Sequence, residues 1–316
     1  MSLAQLLCFT TMTRVAALAA ALTTALLLTA CGGASAGSGG TNTSGKLQVV
    51  AAESFWGSIA AQLGGDRVQV TNVIKNPDTD PHDYEPSPAD GRAVAGAKLV
   101  ITNGAGYDPW AGKLLQANPN GDRQTLDVGD LVGVKEGGNP HLWYNPAYVS
   151  ATIDAVTAGL KKADAQDASY FDQQHAAYTQ KSLQRYDQLR NEIKQKYAGV
   201  PVGATESIFV YLAQSLGLQL VTPPGYMNAI SEGSEPSAQD KATFDRQIQG
   251  GQIKVLVFNQ QNSTPDVQAL VNQAKAKKIP VVPITETPEP ANASFQDWQS
   301  TQLQHLEAAL QTASTG

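Results

Sequence analysis

The chain has 316 residues, with 22 Lys or Arg against 28 Asp or Glu, a formal net charge of −6. That acidic balance argues against a nucleic-acid partner. Both cysteines, Cys8 and Cys31, fall before residue 32, which excludes disulfides and thiolate metal ligands from the body of the protein.

The first 30 residues read as a secretory signal. An apolar run at 15–30 ends in small residues, the only charge before it is Arg14, and no acid precedes Glu53. A membrane span needs roughly 20 apolar residues, and this run is shorter. It closes on "LTAC" at 28–31, which resembles the bacterial lipobox, so Cys31 is expected to carry lipid and to begin the mature chain. An ordinary signal peptide with an incidental cysteine is the plainer alternative. Met12 looks a more natural start than Met1. The Gly/Ser/Thr-rich stretch that follows offers nothing large and apolar to pack, and 31–45 reads as a flexible tether.

About 270 residues remain, enough for two domains. Short β-rich runs predict strands at 46–52, 68–74, 98–104, 200–205, 253–259 and 279–285. Several are apolar nearly throughout, as strands covered on both faces are. Helical patterns lie at 56–63, 87–96, 109–117, 146–163, 207–216, 237–249, 264–277 and 295–311. The alternation predicts an α/β fold with parallel sheets.

The middle breaks this rhythm. Between Asp167 and Tyr197 there is no proline or glycine, and Phe171, Tyr178, Ser182, Tyr186, Leu189, Ile193 and Tyr197 fall on one helical stripe. Such a helix would be roughly 45 Å long at 1.5 Å per residue. The expectation is an N-terminal α/β lobe at 46–163, a long rigid linking helix at 164–199 and a C-terminal α/β lobe at 200–316.

Four histidines are present. His82 sits in "NPDTDPHDYEPSPAD", where Pro77 and Pro81 restrict the loop and Ser87, Pro88 and Asp90 form a helix-capping pattern. His141 sits in "GGNPHLWYNPAYVS", with Asn145 and Pro146 again starting a helix. Both fit ligands aimed by rigid loops, and each also fits an ordinary hydrogen-bonded histidine. His175 and His305 lie within helical patterns and read as structural. In the second half, Glu206 and Glu286 follow the strands at 200–205 and 279–285, where open α/β sheets bind ligands. Taken singly, Glu206 also fits a helix-dipole carboxylate and Glu286 a solvated loop acid.

The motifs "DPHDYEPSPAD", "NPHLWYNPAYV", "TESIFVYLAQSLGL" and "TETPEP", with "GYDPWAGKLL" and "SEPSAQD", together resemble the zinc/manganese receptor lipoproteins of ATP-binding-cassette importers. The resemblance implies His82 and His141 as metal ligands from the first lobe, and Glu206 and Glu286 from the second. Glu289 is an alternative fourth ligand, because manganese-type members usually carry Asp where Glu286 stands. Asp83 and Glu85 are expected to support His82 from outside the ligand set. Glu206 standing where zinc-type members commonly carry His tilts the expectation toward manganese.

The implied function is an extracytoplasmic receptor, anchored to the outer face of the membrane through Cys31, that takes Mn²⁺ or Zn²⁺ between its lobes. A membrane permease and ATPase would be its partners, and a monomer is expected. Bound metal would favour a closed arrangement with small lobe motions. Acid would promote release by protonating His82 and His141. A zinc-dependent hydrolase is the rival reading, weakened because no HExxH motif or nucleophile setting appears. A surface adhesin is a third.

Overall fold

The computed structural model describes residues 45–77, 79, 81, 82 and 84–315. The expectations for the signal, for Cys31 and for Asp83 lie outside the described residues.

Apolar runs become parallel strands buried from both sides. The first sheet contains β1 (Leu47–Glu53), β2 (Val68–Ile74), β3 (Leu99–Thr102) and β4 (Gln124–Asp127), in the order β2-β1-β3-β4. The second contains β5 (Pro201–Ala204), β6 (Gln219–Leu220), β7 (Val255–Asn259) and β8 (Val281–Ile284), in the order β6-β5-β7-β8. Every pairing in both is parallel. The fold is therefore two α/β lobes of the same strand order.

Register places chemistry at equivalent points. Ala51 pairs with Ile101 on β1 and β3, and Ala204 with Val257 on β5 and β7. Two residues further along, Glu53 comes level with Asn103, and Glu206 with Asn259. Both pairs stand at the carboxyl ends of central strands, where such sheets open to ligands.

Between the sheets the chain is helical from Ala168 to Ala177 and from Gln184 to Tyr197, with a π-turn at Tyr178–Ser182 between the two stretches. The wider turn takes up one extra residue. Tyr178 and Tyr186, eight positions apart, consequently both reach the core, with Phe171, Leu189 and Ile193. The lobes also share packing. One cluster runs from Val49 and Ile101 through Val202 and Val257 to Phe295 and Trp298. The terminal helix Phe295–Thr315 fastens onto the first lobe through reciprocal Gln62–Gln296 amide bonds of 3.0 and 2.8 Å and a Phe295 N–H donation to Ser58 Oγ.

Candidate metal centre

The loop after β2 carries His82. The indole N–H of Trp110 donates to the Pro81 carbonyl at 3.0 Å, and Tyr84 packs edge-on against Trp110. The loop's exit is a full capping box, Ser87 with Asp90, ahead of Pro88 at the start of helix Pro88–Gly96. Tyr84 also donates to Asp90 Oδ2. Its entry touches the other lobe, where Gln261 Nε2 donates to the Pro77 carbonyl at 3.0 Å.

His141 is held more tightly. Asn139 Nδ2 donates to the Ser207 carbonyl at 2.8 Å, which turns Oδ1 toward His141. That oxygen lies 2.8 Å from His141 Nδ1, so Nδ1 carries the proton and Nε2 keeps its lone pair for the cleft. The Tyr211 hydroxyl donates to the Asn139 carbonyl, a second tie across the lobes. Trp143 stacks on Phe55 and leans on Tyr107, forming an aromatic wall behind the imidazole.

The second lobe supplies acids. Glu206 lies two residues past β5 and is 1% exposed, while Glu286 lies two residues past β8 and is half-buried. Gln261 Oε1 accepts from the backbone N–H groups of Glu286 and Thr287, fixing that turn. One ligand atom each from His141, Glu206 and Glu286 can be chosen so that all lie within 4.8 Å of one another. Tyr107, from the first lobe, donates its hydroxyl to Glu286 Oε2 at 2.9 Å.

His82 stands apart from this triad. Its side chain is exposed, its ring meets Tyr107 edge-on at 5.1 Å between centroids, and the same Tyr107 ring lies 6.3 Å from that of His141. The contacts at Pro81 and Tyr107 set its place at the cleft mouth. Glu289 is exposed, accepts from Gln260 Nε2 and is not in the group formed by His141, Glu206 and Glu286. Glu85 is exposed and is not among the residues that line the cleft. His175 pairs with Asp154 on the surface.

Burial sets the charges. His141 is pushed down to about 3, first by burial and then by His82, so its imidazole is neutral. Glu206 is pushed up to about 8 by burial and by repulsion from Glu286. His141 Nε2 and Glu206 Oε1, 3.6 Å apart, are accordingly a neutral pair without the ion rather than a salt bridge. At mildly acidic pH the proton therefore sits on Glu206, whereas His141 stays neutral.

The triad lines an open cleft of about 1840 Å³, with walls from both lobes. An entry path is thus in place, as a metal site requires. The sequence reading missed the amides Asn139, Asn259, Gln261 and Asn262 and the hydroxyl of Tyr107. The signal was visible for three of them: "NQQN" at 259–262 ends a strand at the ligand-binding edge.

The family model described as zinc-uptake complex component A, periplasmic (ZnuA), matches residues 49–309. The chain belongs to this family. It is 27% identical over 281 residues to the manganese ABC transporter substrate-binding lipoprotein PsaA of Streptococcus pneumoniae, covering 83% of this chain and 86% of that protein. It is 24% identical over 270 residues to the high-affinity zinc uptake system protein ZnuA of Bacillus subtilis, covering 80% and 83%. Among solved structures, the Mn-bound periplasmic metal-binding protein of Candidatus Liberibacter asiaticus superposes with a TM-score of 0.68 at 19% identity, covering 84% of this chain and all of that one. The periplasmic zinc-binding protein TroA of Treponema pallidum gives 0.67 at 19% identity, covering 84% and 99%. This ZnuA-family chain is a substrate-binding component of an ABC importer, not an enzyme, and the hydrolase reading falls away. It acts outside the cytoplasm with a permease and an ATPase as partners.

Proposed function

We propose that this protein captures Mn²⁺ or Zn²⁺ on His141, Glu206 and Glu286 and hands the ion to its permease. The observation that carries the reading is the meeting of a neutral imidazole from one lobe with two acids from the other in a mostly buried corner of an open cleft. Two carboxylates match the charge of a divalent ion, so the loaded site is neutral. His82 completes the set from the cleft mouth once the ion is present. Capture displaces the proton from Glu206, because the carboxylate ligates only when ionised. Cys31 anchors the chain to the membrane, and the protein works as a monomer.

Metal content decides the matter. Protein stripped with a chelator, equilibrated with equimolar Mn²⁺, Zn²⁺ and Fe²⁺ and desalted should retain close to one ion per chain by elemental analysis. Retention that is absent, or that survives Glu206→Ala, sinks the reading.

A further inference from the structure

Asn259, the last residue of β7, is fully buried and touches both acids of the site. The backbone N–H of Gln261 donates to Asn259 Oδ1 at 3.0 Å, which fixes the amide's orientation and turns Nδ2 toward the carboxylates. Nδ2 donates to Glu206 Oε2 at 3.0 Å and to Glu286 Oε1 at 2.7 Å, using both of its hydrogens. Asn262 Nδ2 adds a longer donation to Glu206 Oε2, 3.3 Å. Two amides therefore grip one oxygen of Glu206, while the other, Oε1, faces His141 Nε2.

We infer that Asn259 sets which divalent ion the site retains, by holding Glu206 to ligation through a single oxygen. The inference rests on metal capture at His141, Glu206 and Glu286. A carboxylate free to swing can bring in its second oxygen and raise the coordination number. One whose distal oxygen is gripped can do so only by giving up those bonds. Groups outside the ligand shell act on metals in this way, by fixing how the ligands present themselves. Single-atom ligation by two imidazoles and two carboxylates makes a four-coordinate set, the number zinc prefers. Manganese favours six oxygen-rich ligands. The leaning toward manganese that Glu206 suggests on its own is thus reversed by the residue that holds Glu206.

Cobalt(II) reads coordination number directly, because four-coordinate Co²⁺ absorbs visible light far more strongly than six-coordinate Co²⁺. The wild-type protein titrated with Co²⁺ should show the intense four-coordinate bands and should prefer Zn²⁺ over Mn²⁺ in competition titrations. Asn259→Leu keeps the size and loses the N–H donors; its cobalt bands should weaken and its zinc-over-manganese preference should fall about tenfold, within the range of such outer partners. Asn262→Ala should shift both readings the same way by less. Asn259→Ser, smaller and with one hydrogen left to donate, carries the test if the leucine variant does not fold. A wild-type spectrum of the six-coordinate kind, or unchanged spectra and ion preference in variants that still bind, overturns the role of Asn259. A wild-type protein that binds none of Co²⁺, Zn²⁺ or Mn²⁺ overturns the receptor reading itself and this inference with it.

Discussion

Both sheets set an acid beside an asparagine at the carboxyl ends of their central strands, and the two pairs have opposite fates. In the second lobe, Glu206 lines the cleft, and the buried Asn259 grips both acids of the site. In the first, Glu53 and Asn103 are 0% exposed. Asn103 is used on structure: its Oδ1 accepts from the Trp56 indole at 3.1 Å, and its Nδ2 donates to the Pro140 carbonyl at 2.9 Å. The loop 103–108 folds over the strand ends, with the Asp108 carboxylate accepting from the backbone N–H groups of Asn103 and Gly104. Gly104 makes this possible. Its φ is +69°, and a Cβ there would lie 2.1 Å from Asp127 Oδ1. Glu53 receives no hydrogen bond from an N–H or hydroxyl donor, and burial, then the charge and side-chain hydrogen bond of the neighbouring Asp108, raise its pKa well above the carboxylate range. On the proposed reading, a strand-end acid can serve as a ligand only where the loop above it leaves a path for the ion.

The sharpest way to break this comparison is to neutralise each acid in turn. Glu206→Gln should weaken Mn²⁺ and Zn²⁺ by more than about 100-fold, beyond what loss of an outer partner costs. His141→Ala should do the same. Glu53→Gln should stay within about threefold of wild type, because no ligand is lost. Competition against a chromophoric chelator measures all three, and equal losses in the two glutamate variants would end the distinction.

Next in size is the pH dependence of capture. The raised Glu206 pKa means the metal-free site holds a proton that the ion must expel. Affinity should therefore climb with pH by up to about tenfold per unit and level off near pH 8. Isothermal titration in buffers of differing ionisation enthalpy counts the released proton; release of none at pH 6 contradicts the assignment. Tyr107→Phe keeps the ring and removes the donor to Glu286, and should cost about tenfold in affinity with an unchanged melting temperature.

The smallest effect is on stability. A folded-state pKa raised above the unfolded value gives stability that is present at acid pH and lost as pH rises from the unfolded toward the folded pKa. Glu53 should therefore cost the wild type about 1.4 kcal/mol of stability per pH unit above about pH 5, until it ionises. Glu53→Gln should show a shallower decline by that amount in urea titrations at several pH values. Parallel curves for the two proteins would mean that Glu53 is not protonated in the fold.

How much of this the residues announced depends on what each contributes. Long apolar runs such as 46–52 and 253–259 had few alternatives to a buried strand. The edge strands "QTLD" and "QL" were missed because they are short and only partly buried, and the helix Pro224–Ser231 was missed as well. At the site, His141 and Glu286 drew notice beside prolines, and Glu206 because it follows a strand directly. The amides that orient them carry no charge and no periodic mark, and their importance appears only when both sheets bring their ends together. Glu53 was passed over for a related reason, since one acid ending an apolar strand looks like a boundary. The loop at 76–86 was read as braced by its prolines, and Trp110 and Gln261 hold it as well.

The π-turn at Tyr178–Ser182 has a bearing on how the halves stay aligned. Its surplus residue corrects the winding so that aromatic groups on either side point the same way. Winding the same residues as an unbroken α-helix would swing Tyr186, Leu189 and Ile193 about 100° around the axis, toward water, whereas excising the surplus residue would leave them where they are. The wide turn lets the helix carry one surplus residue without turning its aromatic stripe away from the core.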